Sequence, residues 1–197
     1  KQIKDAVNYL QKRIKLYRGM FLESPTFKLR TIGIGVLKPS DAIKYSVTGP
    51  NLKASGIGAD LRKDSPYSFY DEVDFVVPTE SEGDAYARMK VRLREIEVAM
   101  SIVEQIIPRI PKGELRAKFP RTLPAGDHYS RVEEARGVLG VYLRVVDEKS
   151  QQPYRVKVRG PSFNHMYLIQ HLAQGVRLAD FPAVLGSLDA YPGDMDR

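Results

Sequence analysis

The sequence predicts an α+β fold that is mainly α: a helical bundle with a small β-hairpin element and a C-terminal tail entering the core. Three observations carry this. Residues 2–18 and 84–107 repeat apolar side chains at steps of three and four, the period of a helix packed on one side. Two β-branched segments flank a polar turn near residue 150. The last twelve residues place three aspartates and Arg197 directly behind the apolar run Phe181 to Leu185. Charge following a core segment is costly unless it is paired or reaches a cavity, so the tail reads as a site or a tight interface.

In the first helix, Ile3, Val7, Leu10, Ile14 and Tyr17 form the apolar stripe, with lysines and arginines opposite, and Gly19 and Pro25 bracket its exit. Thr31-Ile-Gly-Ile-Gly-Val-Leu37 is short, apolar and interrupted by glycine, which predicts a buried turn or a close backbone approach. From Pro39 to Pro78 the chain is loop-rich, with turn signals at Thr48-Gly-Pro50, Ser55-Gly-Ile-Gly58 and Asp64-Ser-Pro66. A connection this long is expected to be functional or packed against a partner, and Tyr67, Phe69, Tyr70 and Phe75 would be costly to leave in water.

The clearest helix runs from about Asp84 to Ile107. Met89, Leu93, Ile96, Met100, Val103 and Ile107 make one seam, and Arg88, Arg92, Arg94, Glu95 and Glu97 are expected to lie away from it. Pro108 and Pro111 end the repeat early, so the seam reads as packing within a bundle and not as a coiled-coil dimer. A proline- and glycine-rich linker, 108–126, separates the helical part, residues 1–110, from the second part, residues 127–197. There, 139–146 and 154–159 read as a hairpin around the turn 147–152. In its second strand Val156 and Val158 face one way, while Arg155, Lys157 and Arg159 form a basic face that is solvated or meets an anionic partner. Ser162 is the expected N-cap of a helix through Leu172, Gly175 breaks it, and a short helix over 178–186 leads into the tail.

Composition closes off several classes. The 197 residues carry no cysteine, which excludes a disulfide framework, thiolate catalysis and thiolate-held zinc or iron–sulfur clusters. No stretch approaches the roughly 20 apolar residues of a spanning helix. The start, Lys1-Gln2, has neither an initiator Met nor an apolar leader, so a processed or excised beginning is expected. The net charge of +7 suits anionic lipid or an acidic protein, but no basic run with interleaved aromatics argues for nucleic acid. His128, His165 and His171 lack metal-site spacing and read as hydrogen-bonded or surface residues, so no metal site is expected. There is no Gly-Lys-Ser phosphate loop, no third glycine after Thr31-Ile-Gly-Ile-Gly-Val36, and no nucleophile elbow around Ser130, Ser162 or Ser187. No complete catalytic set is present.

Taken in order, Phe27-Lys-Leu-Arg-Thr-Ile-Gly-Ile-Gly-Val36, Thr48-Gly-Pro50, Ala54-Ser-Gly-Ile57, Asp60-Leu-Arg-Lys63, Tyr70-Asp71, Gly83-Asp-Ala-Tyr-Ala-Arg88, Arg131-Val-Glu-Glu-Ala-Arg-Gly-Val-Leu-Gly-Val-Tyr142, Pro153-Tyr-Arg155, Arg159-Gly-Pro-Ser-Phe163, Ala179-Asp180 and Gly186-Ser-Leu-Asp189 to Asp196-Arg197 resemble the D subunit, the large quinone-side subunit, of NADH:quinone oxidoreductase, respiratory complex I. The resemblance covers the C-terminal half of that subunit. It implies the helical bundle of the nickel–iron hydrogenase large subunit, and a chain inactive on its own within a multisubunit, ion-translocating oxidoreductase.

In hydrogenases the matching tail reads Asp-Pro-Cys-x-x-Cys-x-x-Arg. Tyr191 and Asp194 stand here at the cysteine positions, so the resemblance implies no metal in this chain. It implies instead that Asp189, Tyr191, Asp194 and Arg197 line or brace a cavity for the quinone head group, beside an iron–sulfur cluster held by a neighbouring subunit. Arg62, Arg136, Arg155 and Arg159 are the expected supporting or interface residues. The implied partners are the iron–sulfur subunit, other peripheral-arm subunits and a membrane-arm subunit, on the cytoplasmic side of a bacterial or archaeal membrane. The family's His and Tyr that contact quinone belong to the N-terminal half, which is outside this sequence. Its usual Gly-Glu near the end is replaced by Gly193-Asp194, and Ala190-Tyr-Pro192 is also atypical. Two alternatives therefore stand: a ferredoxin-linked relative reducing another acceptor such as a sulfur compound, or a purely structural docking scaffold.

Overall fold

The computed structural model describes residues 2–196 apart from 115, 117, 119–121 and 148–150. The fold is the expected mainly helical α+β arrangement. α1 (Gln2–Tyr17) runs into a π-helical turn, Arg18–Leu22, and α2 (Pro25–Thr31) follows. Ser24 caps α2 by accepting the Phe27 amide, and Pro25 pre-sets its first turn, so the proline expected to bracket one helix starts the next. The 39–78 segment is packed, as expected, on three helical turns: α3 (Pro39–Lys44), α4 (Pro50–Lys53) and α5 (Leu61–Asp64). Phe75 is buried with Val73 and Ile102, and Tyr70 packs on it.

α6 (Ala85–Ile106) is the central element, packing against α1, α2, α4 and α8 (Phe181–Leu188). Asp84 caps it by accepting the Ala87 amide at 2.7 Å. The one-seam expectation needs correction. Leu93 and Met100 do face α1, joining Val7 and Ile14, but Ile96 is exposed and Arg88 is completely buried. A helix surrounded on several sides buries more than one stripe, and here the second stripe is charged.

β1 (Gly126–Glu134), β2 (Gly137–Val145) and β3 (Arg155–Arg159) form an antiparallel sheet in the order β1-β2-β3. The hairpin of β2 and β3 was expected, with part of its turn outside the described residues. β1 was not, because its polar sequence, Gly-Asp-His-Tyr-Ser-Arg-Val-Glu-Glu, hides the period of two. α7 (Pro161–Leu172) begins at Gly160, not at Ser162. Pro161 takes the first helical position, and Ser162 lies inside the first turn. A short 3-10 turn, Leu178–Asp180, leads to α8, and α9 (Pro192–Met195) closes the described chain. The main core, Leu37, Ala42, Val47, Leu52, Leu168, Leu172, Val184 and Leu188, sits where α3, α4, α7 and α8 meet. Burying each of its leucines contributes about 2 kcal/mol.

Candidate functional site

The site starts from a loop locked against a turn. Gly49 has φ 68°, ψ −150°, a region closed to side chains, and a Cβ there would lie 2.5 Å from the Arg136 carbonyl oxygen. Next to it, Thr48 Oγ1 accepts the Val138 amide at 3.1 Å. The loop 48–51 is thereby fixed to the two-residue turn joining β1 and β2. This presents Asn51, fully buried, as a hub. Its Nδ2 donates to the Leu188 carbonyl at 3.0 Å and lies 3.1 Å from His165 Nδ1, while its Oδ1 accepts from Arg92 Nη2 at 3.0 Å.

Around Lys53, the short helices α4 and α5, the long helix α6 and strand β1 bring five charges together. Lys53 Nζ is 2.6 Å from Asp60 Oδ2, 2.6 Å from Glu95 Oε1 and 3.7 Å from Glu133 Oε1. Arg62 grips Asp60 with Nε at 2.9 Å and Nη2 at 2.6 Å, and reaches Glu95 Oε2 at 3.0 Å. Burial favours the neutral form of Asp60, but hydrogen bonds from Arg62 and Lys53 outweigh it and hold the carboxyl down at about 2. Glu133 goes the other way: burial pushes it up, the Asp60 charge adds to that, and Lys53 only partly opposes them. Arg88 donates to the carbonyls of Gly83 and Gly35 and to Ser187 Oγ, with no carboxylate in its fork among the described residues, and burial draws its guanidinium down to about 9.

These charges border a cavity of about 400 Å³ whose walls include Lys53, Arg62, Arg92, Glu95, Glu133 and Asp189, with Pro50, Ile96, Ala99 and Ala135 supplying apolar surface. Burial draws Arg92 down to about 10, with the Asp189 charge opposing this. Asp189 stands at the end of α8 in the left-handed conformation, φ 52°. Arg136 Nε donates to its carbonyl at 2.9 Å and lies 3.4 Å from Oδ2, and Arg92 Nε is 4.0 Å from the same oxygen. The Arg136 guanidinium also covers the Tyr191 ring, 5.2 Å from its centroid. A polar group entering here would meet Lys53, Arg62 and Arg92 and the carboxylates of Glu95, Glu133 and Asp189 beside apolar surface.

The structure thus brings Asp189, Tyr191, Arg136 and Arg62 to one region, and separates other residues from it. Asp194 does not line this cavity. Its Oδ2 accepts the Ser162 amide at 2.8 Å, and its carboxylate lies against Gly160, so it satisfies the orphan donors and positive end of α7. Arg159 donates to the carbonyls of Val138 and Ser46 and serves as a clamp between sheet and loop, and Arg155 is exposed opposite Arg144 on the sheet. Neither lines the cavity, and both sit on β3, which pairs with β2 on the side opposite β1. Arg197 lies outside the described residues. Sequence reasoning missed Asn51, Lys53, Asp60, Arg92, Glu95 and Glu133 as site residues. One signal was available: Arg88, Arg92 and Glu95 follow the same four-and-three spacing as the apolar seam, which marks a second, charged inner face.

The chain is similar to the family model described as respiratory-chain NADH dehydrogenase, 49 Kd subunit, over residues 1–123 and 118–197. It is 38% identical over 195 residues to the D subunit of NADH-quinone oxidoreductase from Desulforamulus reducens, covering 98% of this chain and 53% of the relative. It is 40% identical over 202 residues to the D subunit of F(420)H(2) dehydrogenase from Methanosarcina mazei, covering 97% and 53%. Among solved structures, a chain of the membrane-bound sulfane sulfur reductase (MBS), an archaeal respiratory membrane complex, superposes with a TM-score of 0.92 at 39% identity, over 100% of this chain and 54% of that one. The chain spans about half the length of the relatives it matches.

Proposed function

The chain belongs to the respiratory-chain NADH dehydrogenase 49 kDa subunit family, and from that premise we propose that it is an electron-transfer subunit in the peripheral arm of a complex I-like respiratory membrane complex, where it helps form the cavity in which a quinone is reduced. The observation that carries this reading is Asp189 held by Arg136 and Arg92 at the wall of a cavity of about 400 Å³ that combines charged and apolar walls. Such a cavity accommodates a flat head group and offers charged partners to its two oxygens. The 197 residues hold no cysteine and so no thiolate for an iron–sulfur cluster; in this reading the electrons reach the cavity from a centre on a neighbouring subunit. The partners are that subunit, its peripheral-arm neighbours and a membrane-arm subunit, and the place of action is the cytoplasmic face of the membrane.

A second reading, reduction of a sulfur compound, is favoured by the likeness to the sulfane sulfur reductase chain and by the atypical Ala190-Tyr-Pro192. The test is turnover of the assembled complex with a short-chain quinone and, separately, with an organic trisulfide. Asp189→Asn should lower quinone reduction at least tenfold in complexes that still assemble. Trisulfide reduction without quinone reduction selects the second reading. Unchanged turnover per assembled complex with either acceptor would leave this chain a docking scaffold.

A further inference from the structure

Glu133 is the odd acid of the buried charge network. Asp60 takes both cations at 2.6 Å, and Glu95 takes them at 2.6 and 3.0 Å. Among the described residues Glu133 has Lys53, at 3.7 Å, and one backbone donor, the Leu61 amide, at 3.2 Å. Within this directly bonded network three carboxylates share two cations, while Arg92 and Arg136 are taken by Asp189, and Glu133 is the least compensated of the three and the one on which a proton costs least. The Glu133 side chain is only 4% exposed, yet Glu133 is a wall residue of the cavity that Asp189 also lines. That cavity has room for roughly a dozen waters at ~30 Å³ each, with charged groups to order them.

We propose that Glu133 is a proton donor for acceptor reduction, passing its proton through the water of this cavity to the site at Asp189. The proposal rests on the reading of the cavity as the acceptor site. Reducing a quinone to a quinol takes two electrons, here from a reduced centre of a partner subunit, and two protons. Glu133 supplies one of these, becomes a carboxylate beside Lys53, and regains a proton from water once the product leaves. The second comes from solvent. Lys53, Asp60, Arg62 and Glu95 surround the carboxyl, and the Tyr67 hydroxyl accepts the Glu133 amide at 3.0 Å, which fixes the backbone from which the acid projects.

The test uses the assembled complex carrying Glu133→Gln and, separately, Glu133→Asp. The wild-type rate should fall as pH rises through the Glu133 titration. Glu133→Gln should lose that limb and turn over at least tenfold more slowly with an unchanged KM, and Glu133→Asp should restore a shifted limb. A Gln variant with wild-type kcat and pH profile overturns the proposal. If the Gln variant does not assemble, infrared difference spectra of the wild-type complex decide: a glutamic-acid C=O band that disappears on acceptor reduction supports the donor, and its absence overturns it. Failure of the wild-type complex to reduce either acceptor overturns the cavity reading instead, and with it the donor role.

Discussion

At the scale of single residues, His165 carries the sharpest consequence. It is completely buried, and because Asn51 Nδ2 already donates to the Leu188 carbonyl and also faces Nδ1, the ring accepts at Nδ1 and carries its proton on Nε2, toward the Thr48 backbone but without a well-formed bond. Burial, reinforced by the positive charges of Arg92 and Arg159, draws its pKa down to about 4. A base with a lowered folded pKa contributes stability that is whole above about 6.5 and is lost as pH falls toward 4. Chemical denaturation across that window should show a loss of about 3 kcal/mol, and His165→Gln should flatten the slope. An unchanged slope in the variant would refute the assignment. The spacing of the three histidines matches no metal-ligand pattern, but the burial of His165 beside Arg92, seventy-three residues away, is made by the fold and could not be read from its sequence neighbours.

At the scale of elements, the tail acts as a helix cap. α7 starts at Gly160-Pro161 with no capping side chain of its own, and Asp194 supplies the acceptor from thirty-two residues away. Asp194→Ala should lower the thermal midpoint, corresponding to about 1 kcal/mol, while Asp194→Asn keeps an acceptor and most of the stability. Equal loss in both variants would show that the charge, and not the cap, matters. The boundaries of α6 were legible because its cap, Asp84, and its terminating prolines are local signals. The start of α7 was misjudged by two residues because its cap is not local.

At the scale of the molecule, stability is unevenly spread. The main core joins α3, α4, α7 and α8, whereas α1 buries only Val7 and Ile14 and leaves Ile3, Leu10 and Tyr17 exposed. Hydrogen–deuterium exchange should therefore find α1 opening several-fold more readily than α6 or α7. Uniform protection across all three would contradict this distribution. The same unevenness marks what the sequence could tell. Periodicity located the long helices α1 and α6, since it lives within each segment, whereas α2 to α5 are too short to show it. The charge network stayed hidden because Lys53 meets Glu95 and Leu61 meets Glu133 across forty-two and seventy-two residues, and only the folded chain brings them together.

The tail between Asp189 and Asp194 is tied at both ends, by Arg136 to the first and by α7 to the second. Between these ties the Tyr191 amide donates to Ser162 Oγ at 3.3 Å, the Arg136 guanidinium covers its ring, and a Cβ at Gly193 would stand 2.6 Å from that ring. Positions 191 and 193 must then change as a pair, a large residue at one demanding glycine at the other. The segment 190–193 is therefore one unit of variation, its shape set by the anchors at Asp189 and Asp194 and by the contact between positions 191 and 193.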